Sequence, residues 1–246
     1  MSAADLRQAL AVARLVLASY VLSGWALGEV LIVLAVVAFS STGSDPASPH
    51  PVAAYFFGLH GVDFLGATAL GAVIMVRRSL GVRTLVVLSR LGSRTAYLAG
   101  LVLASAALRL PLVVLLVALG LGTGRLPPGE LVALPLVLPG LLANAVLVGA
   151  LTIGLMSPFG GREERLVAIV YGILALLPVI DLPALARQAQ GVVQLPLWPV
   201  SVNYQAGYQA TALPAELIAV PLVLAYAAGL CLVIGRRFAR RDLLLA

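Results

Sequence analysis

Residues 96–122 read AYLAGLVLASAALRLPLVVLLVALGLG, an apolar run in which Arg109 is the one charged side chain. A helix crosses a hydrocarbon layer of about 30 Å with about 20 residues, and inside that layer every backbone N–H and C=O must be satisfied within the segment. The run therefore predicts a transmembrane helix. Working outward, comparable runs occupy 24–39, 56–76, 131–157, 166–180 and 217–235. The expected fold is an all-α integral membrane protein with six transmembrane helices.

The whole composition agrees with that reading. The 246 residues are 61% hydrophobic and 11% charged, with a mean hydropathy of +1.07, whereas soluble domains carry about 25% charged residues. Six spans use about half of such a chain and leave short connections, so 1–246 is expected to be a single transmembrane domain. Asp5 stands early and no small-residue cleavage pattern precedes a soluble body, so no cleavable signal is expected. The single cysteine, Cys231, lies in an apolar run and has no internal partner for a disulfide.

Charge sets the orientation. All sixteen basic residues are arginines, against ten acidic residues. With the N-terminus inside, thirteen fall on the cytoplasmic side: Arg7, Arg14, Arg77, Arg78, Arg83, Arg90, Arg94, Arg162, Arg165, Arg236, Arg237, Arg240 and Arg241. Arg125 and Arg187 fall outside, and Arg109 is embedded. This asymmetry predicts cytoplasmic N- and C-termini and an even number of spans, in a multi-pass protein of the cell (inner or plasma) membrane. Arginines flanking apolar runs are a topology signal, not a groove for phosphates, so no nucleic acid is expected as a partner.

Three segments stand apart from the spans. Within 1–22, Leu6, Leu10, Ala13 and Leu17 recur at helical spacing while Arg7, Ala11, Arg14 and Ala18 take another face, which favours a helix lying in the interface over a simple start of the first span. The outer loop 181–216 carries Pro183, Pro196, Pro199 and Pro214 with Trp198, Tyr204 and Tyr208. Asp181 and Pro183 are expected to open a short helix ending before Gly191, and the aromatic rings to lie at headgroup depth, in a re-entrant or interfacial cap. Between the second and third spans, 77–97 reads RRSLGVRTLVVLSRLGSRTAY, five arginines interleaved with Leu80, Val82, Leu85, Val86, Val87, Leu88 and Leu91. A basic loop on anionic headgroups explains the arginines but not the apolar residues; a short helix pressing into a partner explains both.

Recognisable catalytic chemistry is missing from the sequence. A chain without lysine has no G-x-x-x-x-G-K-[ST] loop, so ATP chemistry would have to come from another polypeptide. No G-x-S-x-G elbow or H-E-x-x-H pair occurs, and His50 and His60 have no partner at metal-ligand spacing, so no metal site is expected. Catalytic residues are expected to be none. The embedded charges Glu29, Asp63 and Arg109 each cost roughly 2.5–3.5 kcal/mol at the bilayer centre unless paired or facing water. An Asp63–Arg109 pair is expected, with Glu29–Arg109 as the competing arrangement, as a structural bridge or part of a substrate or proton path. Pro111, Pro135, Pro139 and Pro178 permit kinks in the spans.

This layout resembles the membrane subunits of type-2 ABC exporters, the ABC-2 permease family. The resemblance rests on the N-terminal amphipathic helix, six spans, the long outer connection, the terminal Arg236-Arg237-Phe238-Ala239-Arg240-Arg241, and residues 89–100, SRLGSRTAYLAG. The family often shows S-P-L-S-R-x-x-Y-L-x-G there; this chain has Arg90 at the proline position and one more residue. Members often carry an acidic residue upstream, where this chain has Arg77, Arg78 and Arg83.

The resemblance implies a transmembrane permease subunit that forms the substrate path. It implies that 77–95 is the coupling segment, with Arg83, Ser89, Arg90, Arg94 and Tyr97 meeting separate ATP-binding cassette ATPase subunits, and that Gly161, Glu163 and Glu164 in 159–165 make a second contact. ATP and Mg would be bound by that partner, with no cofactor in this chain. A second permease chain, identical or homologous, would complete the path among membrane lipids. Phe56, Phe57, His60 and Phe64 on the second span are the residues to test for the path, with packing as the competing explanation. The alternatives are an accessory or scaffold subunit of another membrane complex, and an intramembrane lipid-modifying enzyme using Asp63, His60 and Arg109. A small hydrophobic or amphipathic substrate fits the near absence of charge in the spans.

Overall fold

The computed structural model describes residues 3–39, 52–79, 94–124, 126, 128–156, 198–209 and 215–240. Among them the chain is helical throughout: α1 Ala3–Leu22, α2 Trp25–Phe39, α3 Val52–Ser79, α4 Arg94–Gly122, a 3-10 segment Pro128–Ala133, α5 Leu134–Leu155, α6 Trp198–Gln209 and α7 Glu216–Arg240. Five of the six apolar runs coincide with helices. The fifth, 166–180, lies outside the described residues, as do the expected helix opening at Asp181, the coupling residues Arg83, Ser89 and Arg90, and the second-contact residues Gly161, Glu163 and Glu164.

Three of the described helices are long and apolar enough to cross a membrane: Arg94–Gly122, Val137–Leu155 and Leu217–Phe238. The pair Ala3–Leu22 and Trp25–Ala35, bent by 68°, counts as a fourth if it is one broken span. These apolar helices make the protein membrane-embedded. On α7 the exposed residues include Leu217, Ile218, Leu224, Leu232 and Val233; such a continuous apolar surface is suited to lipid and would drive association in water.

Helix α4 is the axis of the bundle. Its buried residues run from Ala96 and Tyr97 through Arg109 to Gly120, and α1, α2, α3, α5 and α7 all pack on it. Small residues set the closest approach. Gly100 faces α1 so tightly that a Cβ there would stand 2.7 Å from both the Ala9 carbonyl oxygen and the Val12 side chain. The buried stripe of α1 is accordingly Ala9, Val12, Ala13, Val16 and Tyr20, not the Leu6–Leu10–Ala13–Leu17 face that its leucines suggest. Leu6 and Leu10 stay nearly half exposed, because alanines admit the α4 backbone where leucines would hold it off.

The sharp turn between α1 and α2 has a local cause. Gly24 takes φ +80°, a left-handed conformation that glycine adopts without a Cβ penalty. Its N–H donates to the Val21 carbonyl and the Ser23 hydroxyl donates to the Tyr20 carbonyl at 2.8 Å. The first helix is thereby ended and the chain turned into α2.

Helix α6 lies within the expected outer connection. Asn144 Nδ2 donates to the Val200 carbonyl at 3.0 Å, and Asn203 Nδ2 donates to Asn144 Oδ1 at 3.1 Å. Asn144 stands about 15 Å from either end of α5, at 1.5 Å per residue. The first turn of α6, which begins at Trp198, therefore reaches the mid-length of α5. These contacts seat α6 against the side of α5, in keeping with the re-entrant alternative among the expectations for this connection.

Candidate functional site

Arg109 and Glu29 form a fully buried ion pair at 2.7 Å, with side chains 1% and 2% exposed. The Tyr20 hydroxyl donates to the other carboxylate oxygen at 2.5 Å, and Arg109 Nε donates to the Ser105 carbonyl, one helical turn back, at 3.4 Å. Arg109 Nη1 has no hydrogen-bond partner among the described residues. The space for this cluster comes from Gly71 on α3. A Cβ at that position would run into Glu29 Oε1 and stand 2.8 Å from Arg109 Nη2.

The expected Asp63–Arg109 pair is not formed, and the competing Glu29 arrangement is. Arg109 meets α3 at Gly71, eight residues beyond Asp63, which puts the two positions about 12 Å apart along that helix. The α1–α2 bend meanwhile delivers Glu29 to the guanidinium and Tyr20 to the Glu29 carboxylate. Arg109 is thus engaged away from His60 and Asp63, and the three do not assemble as one group.

Asp63 remains 42% exposed, with His60 Nδ1 at 3.7 Å one turn away. The His60 ring is buried and packs edge-on against Phe56, centroids 4.6 Å apart at 67°. Together with Phe64, Ile32, Val33 and Leu116, His60 and Asp63 line a shallow open crevice with room for about one water. Of the four residues named for a substrate path, His60 and Phe64 line the crevice. Phe56 is buried against Gly120, where a Cβ would stand 2.8 Å from its ring, and the Phe57 side chain lies outside the described ones.

A second constellation closes the opposite end of α3. The Tyr97 hydroxyl donates to the Ser79 carbonyl at 3.1 Å, tying the first turn of α4 to the last residue of α3. Arg94 Nη1 donates to the Phe238 carbonyl of α7 at 3.3 Å. Thr95 presses on Gly235, where a Cβ would stand 2.9 Å from Thr95 Cγ2. Three helix ends meet here, and Arg77, Arg78, Arg236 and Arg237 are exposed around them, so this end of the bundle is strongly basic. Both termini of the 80–93 segment leave from this one clamped point.

Among the described residues no three His, Cys, Asp or Glu side chains converge on a possible metal position. Sequence reasoning missed Tyr20 and Gly71 as parts of the buried cluster and Asn144–Asn203 as the anchor of α6. A lone Asn inside an apolar run was a usable signal for the last, since an amide in hydrocarbon needs a partner. Comparison with known protein families, curated proteins and solved structures finds no match to this chain.

Proposed function

We propose that the chain is the transmembrane permease subunit of an ATP-driven exporter of the type-2 ABC kind, coupled to separate ATP-binding subunits at its basic end. One observation carries the reading: a half-apolar, arginine-rich segment whose two ends are tied to each other by Tyr97 and Ser79 and to α7 by Arg94 and Phe238. A push on 80–93 is delivered to the ends of α3, α4 and α7 together, which is what a motion shared between an ATPase and a helical bundle requires. Exposed arginines beside that point supply favourable contacts to an acidic partner cleft and to anionic lipid. In this reading Arg83, Ser89 and Arg90 touch the ATPase, while Arg94 and Tyr97 fix the segment to the bundle. Gly161, Glu163 and Glu164 form the second contact, and a second permease chain completes the path.

Affinity purification of the full-length chain from native membranes tests this directly. An ABC-type ATPase should co-purify, and replacing 83–94 by an unrelated polar linker should release it while the permease still inserts. Co-purification with a non-ATPase assembly instead would favour the scaffold reading, and retention of the ATPase by the linker variant would reject the coupling role.

A further inference from the structure

Two hydrogen bonds bring three helix ends to one level. Helices α4 and α7 carry two of the membrane-length apolar segments, one beginning at Arg94 and the other ending at Phe238, and the Arg94–Phe238 bond joins those two ends. Both segments therefore reach the same membrane surface there, which sets Arg236 and Arg237, near the end of α7, at headgroup depth. The Tyr97–Ser79 bond brings the end of α3 to the first turn of α4, and with it Arg77 and Arg78. All four side chains are exposed. Since α3 and α7 both pack on α4, at the usual interaxial distance of about 8–10 Å, the two arginine pairs flank the start of α4 within about 20 Å of each other.

Arg236 and Arg237 also end an apolar stripe. Exposed positions on α7 recur about every four residues, through Leu224, Ala228, Leu232 and Val233 to the two arginines, and nothing lies within 4 Å of a Cβ at Gly229. From Leu224 to Arg236 the stripe runs about 18 Å at 1.5 Å per residue, which covers the depth of one leaflet, half of a layer about 30 Å thick.

We infer that this stripe and the two arginine pairs bind an anionic phospholipid whose headgroup carries two phosphates, of the diphosphatidylglycerol type, one phosphate meeting each pair. Its acyl chains lie on the exposed side of α7. A soluble acidic protein reaches the arginines but not the apolar stripe beneath them. A second copy of the chain, packed here about a twofold axis along the membrane normal, sets each arginine pair on α7 against its own counterpart, a like-charge contact. A zwitterionic lipid returns a positive charge beside four guanidiniums. The site needs no ATPase, so it stands or falls apart from the permease reading.

The full-length chain, delipidated in a nonionic detergent, is titrated with tetraoleoyl diphosphatidylglycerol, dioleoyl phosphatidylglycerol and dioleoyl phosphatidylcholine, with bound lipid counted by native mass spectrometry. The two-phosphate lipid binds saturably and most tightly, and phosphatidylcholine with the same chains does not saturate. Arg236→Gln with Arg237→Gln, and separately Arg77→Gln with Arg78→Gln, weaken binding roughly tenfold or more, the scale of two guanidiniums at an anionic surface, while the lysine versions of both pairs retain most of it. Arg7→Gln with Arg14→Gln, which removes the same charge from exposed positions of α1, leaves binding unchanged. An equal loss in that control, or phosphatidylglycerol binding as tightly as the two-phosphate lipid, overturns the proposal. So does a disulfide-linked dimer formed through Gly229→Cys in a Cys231→Ala background, which would put a second copy of the chain on the stripe.

Discussion

Arg109 and Glu29, eighty residues apart in sequence, meet at 2.7 Å with almost no exposure to solvent, and through them α2 is fastened to α4 around a glycine of α3. Removing one partner strands the other as an uncompensated buried charge, which costs about 3–5 kcal/mol. Glu29→Gln and Arg109→Met should each sharply lower the yield of monodisperse protein and its melting temperature in detergent. The double variant Glu29→Met with Arg109→Met should be more stable than either single one. A double variant as poor as the worse single variant would mean that the two residues do not act as a pair. Tyr20→Phe, which removes one hydrogen bond to a charged group, should cost about 1.5–3 kcal/mol.

Gly71 answers for the same cluster from the third helix. Adding one methyl group forces the Glu29 carboxylate and the Arg109 guanidinium apart, because a Cβ would overlap the first and crowd the second at 2.8 Å. Gly71→Ala should therefore destabilise by about 1–3 kcal/mol, although alanine is the better helix former. Gly66 on the same helix has nothing within 4 Å of its Cβ position, so Gly66→Ala is the matched control and should be neutral or mildly stabilising. Equal melting temperatures for the two variants would reject the crowding argument.

What the sequence disclosed, and what it withheld, follows from which forces are local. Apolar run length is a one-dimensional property, and α2, α3, α4, α5 and α7 fall where the runs fall. Arg109 was visible as an embedded charge for the same reason. Glu29 and Asp63 were both visible as candidate partners, but the choice between them was not, because it depends on the 68° bend at Gly24 and on the missing side chain of Gly71, neither of which is written in hydropathy. The face of α1 that packs on α4 was not legible either, because helical periodicity locates leucines, whereas the close approach at Gly100 is met by Ala9 and Val12.

The α1–α4 contact can be opened without touching a charge. Gly100→Leu drives a side chain into the Ala9 carbonyl and Val12, so α1 must lift from α4 while the rest of α4 stays packed. In a Cys231→Ala background, Val16→Cys places a thiol at a site 8% exposed, which should resist a membrane-permeant maleimide. Adding Gly100→Leu should make it react several-fold faster. Unchanged labelling would mean that α1 is held by something other than this approach.

Asn144 carries two hydrogen bonds to α6, one to the Val200 carbonyl and one from Asn203. Interhelical hydrogen bonds in membranes are worth about 0.6 kcal/mol on average and up to about 1.7 kcal/mol, so Asn144→Leu should lower the melting temperature modestly. It should also speed proteolysis or hydrogen exchange within 198–209 more than elsewhere. Exchange that rises uniformly over all helices would indicate general loosening and not release of α6.

Tyr97 separates coupling from folding. Its hydroxyl donates to the Ser79 carbonyl, at a helix end where water can take over the acceptor's role, so Tyr97→Phe should cost only about 1 kcal/mol and leave the ring buried. If the permease reading is right, the segment 80–93 then moves without carrying α3 with it. The variant should still insert and still hold its ATPase, yet substrate-stimulated ATP hydrolysis should fall severalfold in reconstituted vesicles. Arg94→Ala, which cuts the tie to the Phe238 carbonyl of α7, should do the same from the other side, and the double variant should show little stimulation above the basal rate. Full stimulation in the double variant would show that the clamp is only a structural joint between helix ends, and the pathway from partner to bundle would have to run through another contact.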